Sequence, residues 1–374
     1  VNNPYAILPD SWTASSSKRG LQLIKYAKGV LDLLKKGFSV QFDQDEAVQC
    51  GESGEEVCLN FLSGGTSGQP EFVEHNHGTL QSAVGGLASR IGDQAMNSIC
   101  CLPLWHVGGW MQLERAWSTG GKIYFCDYRD LKNPKVAGKV SGNLISLVPA
   151  QLHELIKSPT AITALSEARG IFVGGAGMNA QLIDVSRSLN LPVCPCYGSS
   201  ETAGMITLLE SGSFLNGING VGPCLPHAEV RLSEKNSQVF IKCSSLCIRR
   251  GKRMFVTNEW LQTPDFGKID SSGNLTIEGR LDRLINTGGE KVDPSRIEKV
   301  LHSTGLIENC LVYGVSDQKW GQRVVALITP ADVSLKYLKQ EVKKKLQGPL
   351  MPKEWITSDR IPMSEMGKPN YILE

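Results

Sequence analysis

Three short stretches of this chain carry residue types whose spacing suits phosphate chemistry. The first is Ser63-Gly64-Gly65-Thr66-Ser67-Gly68-Gln69-Pro70, after an apolar run that reads as a strand, Val57 to Ser63. Glycine permits close backbone approach, so several N–H groups can converge on one anion, and the hydroxyls of Ser63, Thr66 and Ser67 add donors. It is not a Walker A loop, because no Gly-Lys in the chain is followed by Ser or Thr. Taken alone, the segment reads equally as a flexible Gly/Ser connection. The second stretch is Gly174-Gly175-Ala176-Gly177, again between a predicted strand and a predicted helix. With Ala180 it fits the spacing of a dinucleotide loop, yet no acidic residue ends the next strand, Val193 to Cys196. A nicotinamide site is therefore disfavoured, and a backbone wall against a flat base such as adenine is the better reading. The third is Tyr197-Gly198-Ser199-Ser200-Glu201-Thr202, at the carboxyl end of a predicted strand, where open α/β sheets bind ligands. A carboxylate flanked by hydroxyls suits Mg²⁺, which takes one or two carboxylates plus substrate phosphates. Glu201 alone would also serve as a helix-start carboxylate.

The elements that must position these groups are legible from periodicity. Strands are expected at Ser98–Leu102, Lys122–Phe125, Leu144–Val148, Ile171–Val173 and Val193–Cys196, with helices at about Gly78–Ile91 and at Ala180–Leu189. That alternation predicts an α/β class with a largely parallel sheet. From Gly217 to Thr276 short strands separated by Gly, Pro, Asn and Ser predict a β-rich subregion. A second unit begins near Arg280–Asp282, where Asp293-Pro294 forms a good helix start ahead of Ile297, Val300 and Leu301. Strands at Asn309–Val315 and Arg323–Thr329 and a basic helix from Ser334 to about Leu346 complete it. The expected organisation is a large N-terminal α/β domain over 1–281 and a small α+β domain over 282–374.

Composition bounds the function. The 374 residues are 41% hydrophobic and 20% charged with a formal net charge of +2, which excludes general disorder and gives no global field for nucleic acid. No run approaches the roughly 18 apolar residues of a membrane span, and no secretory signal is visible. Eleven cysteines without a Cys-x-x-Cys pair read as reduced thiols of a cytosol-like compartment. Cys224 and His227 are spaced like half of a zinc site but have no second pair, so no metal is inferred from cysteine.

The order of motifs then resembles the adenylate-forming superfamily of acyl- and aryl-CoA synthetases, luciferases and peptide-synthetase adenylation domains. The resemblance runs from about Leu59 to Lys368 through SGGTSGQP (63–70), LPLWHVGG (102–109), GGAGM (174–178), YGSSET (197–202), Asp265 in WLQTPDFG, GRLDRLINTGGEKVDPSRIE (279–298) and IPMSEMGKPN (361–370). It implies an ATP-dependent acid–CoA ligase with a mobile C-terminal lid and with ATP, Mg²⁺ and CoA as reactants and cofactor. It further implies that Ser63, Gly64, Gly65, Thr66, Ser67 and Gly68 hold the β/γ-phosphates, and that Gly174, Gly175, Ala176 and Tyr197 border adenine. Glu201 would ligate Mg²⁺ beside Ser200. Asp265 and Arg280 would grip the ribose, and Asp282 would be the hinge. His106 would gate the acyl pocket, Gly289 would lie near the thiol tunnel, and Lys368 would reach the acyl carboxylate and α-phosphate.

There are departures. The family's phosphate loop usually ends Pro-Lys, whereas this one ends Pro70-Glu71, and a carboxylate beside a triphosphate is unfavourable. Ser200 replaces a common Thr and keeps the hydroxyl. Only about sixty residues precede the loop. Segment 103–113 contains no Asp, which disfavours an amino-acid substrate. The WHVGG segment and SSETAGMITLL (199–209) are most similar to the branch that activates o-succinylbenzoate for menaquinone and phylloquinone synthesis. Another aryl or fatty acid, or a non-catalytic nucleotide-binding role, are the other readings. The expected partners are the carboxylic acid and CoA, with no nucleic acid and no membrane span, in the cytoplasm or a plastid stroma. Lys336, Lys339 and Lys343 to Lys345 read as a solvated helix face or as a contribution to CoA binding. His75 and His77 are assigned no chemistry.

Overall fold

The computed structural model describes residues 12–42, 47–50, 56–63, 71–92 and 94–362. A seven-stranded sheet forms the centre of the N-terminal part, in the order Trp12–Ala14, Ile123–Phe125, Ser98–Cys100, Leu144–Leu147, Gly170–Val173, Val193–Ser199, Gly204–Leu208. All neighbours are parallel except the last pair, an antiparallel hairpin. The inner strands are buried on both faces, as the Leu144–Leu147 and Gly170–Val173 runs show, which is how a parallel sheet covered by helices must read. The predicted alternation is thus present, with helices His77–Ile91 and Ala180–Ser188 close to their expected bounds.

One expectation is corrected. The strand that leads into the glycine loop, Cys58–Ser63, is not part of the parallel sheet and is not followed directly by a helix. It pairs antiparallel with Glu71–Asn76, and both lie in a second, six-stranded mixed sheet with Ser39–Phe42, Ala47–Cys50, Arg249–Arg250 and Arg253–Met254. Ser63 and Glu71 face one another across that ladder. The Lys18–Lys35 helix covers this sheet and was not anticipated.

The predicted β-rich subregion is a four-stranded antiparallel sheet, Ala228–Leu232, Gln238–Cys243, Leu261–Ile269, Leu275–Arg280. Residues 285–355 hold the apolar core of the C-terminal unit, in which Ile297, Leu301, Val312, Val324, Ala326 and Leu338 are fully buried or nearly so. Its helix Pro294–His302 starts as the sequence predicts: Asp293 caps it by accepting from the Ser295 N–H, and Pro294 occupies the first turn. Among the described residues no helix is long and apolar enough to cross a membrane.

Candidate functional site

Two of the sequence-predicted clusters meet because parallel strands deliver their following loops to one edge. Val173 is in register with Pro195, so Gly174–Ala176 and Tyr197–Thr202 emerge side by side. Gly174 needs its missing side chain here, since a Cβ would stand 2.9 Å from the Cys196 sulfur. Gly175 has φ of +80°, a region that favours glycine.

The Tyr197 hydroxyl donates to Asp265 Oδ2 at 2.6 Å. Asp265 is nine-tenths buried and sits directly opposite Arg280 across its antiparallel ladder, with Arg280 Nη1 3.4 Å from Asp265 Oδ1. Burial, followed by the charge of Asp265, pushes the Tyr197 phenol well above its ordinary range, so it stays a donor. Arg280 also grips Asp282 through two bonds, Nε to Oδ1 at 3.0 Å and Nη2 to Oδ2 at 2.7 Å. Tyr197, Asp265, Arg280 and Asp282 therefore form one continuous polar network at the boundary between the third sheet and the C-terminal unit.

Glu201 lies in a short 3₁₀ turn, Ser200–Thr202, whose backbone is held at every carbonyl. The Ser200 carbonyl accepts from His75 Nε2 at 2.7 Å, the Glu201 carbonyl from the Cys247 N–H at 2.8 Å, and the Thr202 carbonyl from the Ser245 hydroxyl at 2.9 Å. Ala203 ends the turn with φ of +52°. A carbonyl only accepts, so His75 carries its proton on Nε2, and Nδ1 faces the Thr79 hydroxyl at 3.0 Å. Burial holds His75 neutral, with its pKa pulled down to about 4 against weaker opposing effects of the Ser200 carbonyl and Glu201. The Glu201 carboxylate pairs with Arg250 Nη1 at 3.1 Å, and Arg250 Nε reaches Glu71 at 3.0 Å.

His106 occupies the N-cap position of the helix Val107–Ser118 without a side-chain capping bond, and the start of that helix packs on the same turn. Val107 and Met111 come within 3.9 Å of where a Gly204 side chain would be. Inside this helix lies a group the sequence reading missed. Arg115 is buried, donates from Nε to the Met111 carbonyl at 3.0 Å and from Nη2 to the Ser146 hydroxyl at 3.1 Å, and lies 5.2 Å from the Phe172 ring centre. No carboxylate pairs with it among the described residues, and burial pulls its pKa down to about 10. A buried cation without an anion is costly.

Of the remaining predicted residues, Ser63 is buried at the end of its strand. Gly64, Gly65, Thr66, Ser67, Gly68 and Lys368 lie outside the described residues. Gly289, with φ of +84°, lies in the turn between Ile285–Thr287 and Glu290–Val292 on the C-terminal sheet. As a magnesium position Glu201 is chemically apt. No group of three or more metal-ligating side chains exists among the described residues, and an Mg²⁺ ion held by Glu201 would need water and ligand oxygens to fill its shell. The buried Ser199 hydroxyl two residues away has no hydrogen-bond partner.

This arrangement of a mostly parallel sheet, an antiparallel sheet carrying Asp265 and a separately cored C-terminal unit is matched by family comparison. Residues 11–250 match the AMP-binding enzyme family and residues 296–368 its C-terminal domain. The chain belongs to the AMP-binding enzyme family. Among its relatives is the 2-succinylbenzoate–CoA ligase of Salmonella typhimurium, 30% identical over 306 residues that cover 79% of this chain and 63% of that enzyme. The Escherichia coli 2-succinylbenzoate–CoA ligase is 28% identical over 308 residues, covering 80% and 64%. The chain thus spans a little under two thirds of the length of these relatives. Among solved structures, o-succinylbenzoate CoA synthetase from Bacillus subtilis in complex with the acyl-adenylate intermediate OSB-AMP superposes with a TM-score of 0.72 at 23% identity, over 96% of this chain and 76% of that one. The fold expected from sequence is the fold these relatives have.

Proposed function

We propose that this protein is an AMP-forming acid–CoA ligase that activates o-succinylbenzoate, in the synthesis of menaquinone or phylloquinone. The observation that carries the reading is the pairing of the Tyr197–Asp265–Arg280 network with the rigid Glu201 turn at one sheet edge. The named relatives support the substrate, and buried Arg115 supports it independently. An aromatic keto-dicarboxylate keeps one carboxylate after the other has been activated, and Arg115 offers that carboxylate a desolvated, positively charged partner. A fatty acid has no such group, and this is what favours the dicarboxylate over the general fatty-acyl alternative.

In this reading Gly174, Gly175, Ala176 and Tyr197 border adenine, while Asp265 and Arg280 take the ribose hydroxyls. Ser63, Gly64, Gly65, Thr66, Ser67 and Gly68 hold the terminal phosphates, with Glu201 and Ser200 beside them. Mg²⁺, held by Glu201 and the phosphates, would offset charge as pyrophosphate separates. A carboxylate oxygen of the acid attacks the α-phosphorus, and the bond to pyrophosphate breaks. Lys368 offsets negative charge at that centre. The CoA sulfur, as thiolate, then attacks the acyl carbon, and AMP leaves with the original carboxylate oxygen. His106 gates the acyl side, and Gly289 comes near the thiol when the 282–374 unit turns about Asp282. The free thiols support a reducing compartment, the cytoplasm or a plastid stroma.

The test is a pyrophosphate-release assay over a panel of carboxylic acids, with and without CoA. o-Succinylbenzoate should be turned over fastest. Faster turnover of medium-chain fatty acids at equal concentration would replace the substrate, and no release with any acid would remove the activity.

A further inference from the structure

Glu71 is the residue that follows the glycine loop, and its side chain, although about half exposed, has its carboxylate paired with Arg250. The strand Arg249–Arg250 pairs antiparallel with Glu71–Asn76, placing Arg250 opposite Val73 and Arg249 opposite Glu74. The Gly251 N–H donates to the Phe72 carbonyl at 2.9 Å and the Ile248 N–H to the Glu74 carbonyl at 2.9 Å, which fixes the backbone on both sides of Arg250. Arg249 is occupied by Glu74. Glu71 lies against the chain at Gly251, where a Cβ would stand 2.6 Å from Glu71 Oε1 and where φ is +54°. Glycine at 251 is thus what lets the Glu71 carboxylate reach Arg250 Nε.

The Arg250 guanidinium consequently bridges two carboxylates from different elements. Nε holds Glu71 at 3.0 Å, and Nη1 holds Glu201 at 3.1 Å. Nη2 has no partner among the described residues, and the side chain is 39% exposed. Two carboxylates against one guanidinium leave this patch net negative, which by itself repels a triphosphate. The bridge has unequal ends. Glu71 has one role, to hold Nε, whereas Glu201 is the carboxylate that a metal ion would draw away.

We infer that Arg250 is a phosphate-contacting arm for the terminal phosphates of ATP, with Glu71 as its fixed tether and Glu201 as its resting partner. Were Glu201 drawn to a metal ion, Nη1 would be released, and the tether at Nε would leave Nη1 and Nη2 free to meet the phosphates. A planar guanidinium held at Nε is well suited to a bidentate grip on phosphate oxygens. The inference rests on the nucleotide site proposed above, and it turns Glu71 from an obstacle into the element that aims the cation.

Calorimetric titration of wild type, Arg250→Ala and Glu71→Ala/Arg250→Ala with ATP plus Mg²⁺, and separately with AMP, tests it. Arg250→Ala should weaken ATP binding by roughly 10- to 100-fold, the range of a charge-assisted hydrogen bond, with AMP affinity unchanged. The double variant should stay weak, because the cation itself is missing. Recovery of ATP affinity in the double variant would show that Arg250 only neutralises Glu71 and would overturn the inference. So would equal ATP binding by Arg250→Ala and wild type, or a parallel loss of AMP. Wild type that binds neither nucleotide would instead overturn the nucleotide-site reading itself.

Discussion

Replacing His75 with Gln tests whether the Glu201 turn stands on a neutral, buried histidine. Gln can set an amide N–H where Nε2 stands and so keep the bond to the Ser200 carbonyl, but it cannot titrate. His75 has no solvent exposure, and its pKa in the folded chain is lowered to about 4 from an ordinary 6.5. The unfolded chain therefore binds the proton more readily between those values. Its contribution is fully present above pH 6.5 and is lost as pH falls toward 4. At pH 5 the unfolded chain gains about 1.5 units of protonation free energy that the folded chain almost entirely lacks, or about 2 kcal/mol at 1.36 kcal/mol per unit. Burial likewise lowers His227, to about 4, but that group is common to both proteins and cancels in the comparison. Thermal melts at pH 8 and pH 5 should show wild type losing about 4 °C more than His75→Gln in the transition of the N-terminal part. Identical pH dependence in the two proteins would refute the neutral buried state, and with it the assignment of the Nε2 proton.

Three further outcomes follow from the site. Lys368→Ala should slow adenylate formation by on the order of 10²–10³, while thioester formation from preformed acyl-adenylate is much less affected; equal loss in both half-reactions, followed by rapid quench, would contradict its role. Asp282→Pro fixes φ near −65° at the proposed hinge and should keep ATP–pyrophosphate exchange while losing CoA thioester synthesis. Asp282→Ala, which removes the carboxylate held by Arg280 but leaves φ free, is the control, and a parallel loss in both reactions of the Pro variant would make Asp282 a simple linker residue. Arg115→Met should raise KM for o-succinylbenzoate by roughly 10- to 100-fold with ATP affinity retained, since a charge-assisted contact to the substrate is lost. It should cost little stability, because the guanidinium removed has no carboxylate partner. Unchanged KM in steady-state assays would remove Arg115 from the substrate site.

Much of this architecture was readable because its signals are local. The apolar runs Leu144–Leu147 and Gly170–Val173 announce buried strands, and Asp293-Pro294 announces a helix start. Asp265 and Arg280 were singled out by motif, and the structure adds that they are ladder partners. The strand Glu71–Asn76 was not legible because its polar residues look solvated until their partners are known. Glu71 meets Arg250 across 179 positions of sequence, and His75 meets the Ser200 carbonyl across 125. Neither spacing has a periodicity to betray it. Arg115 was hidden for a related reason: in an amphipathic helix an arginine reads as an outward-facing residue, and only the packing against Ser146 and Phe172 turns it inward.

The most direct test of the central claim follows one oxygen atom. The protein should be incubated with o-succinylbenzoate labelled with ¹⁸O in its carboxylates, together with ATP, Mg²⁺ and CoA, and the AMP product weighed by mass spectrometry. Attack of the acid on the α-phosphorus followed by thiol displacement requires every AMP formed with thioester to carry one ¹⁸O. AMP without label, or label appearing in pyrophosphate, would contradict activation through an acyl-adenylate.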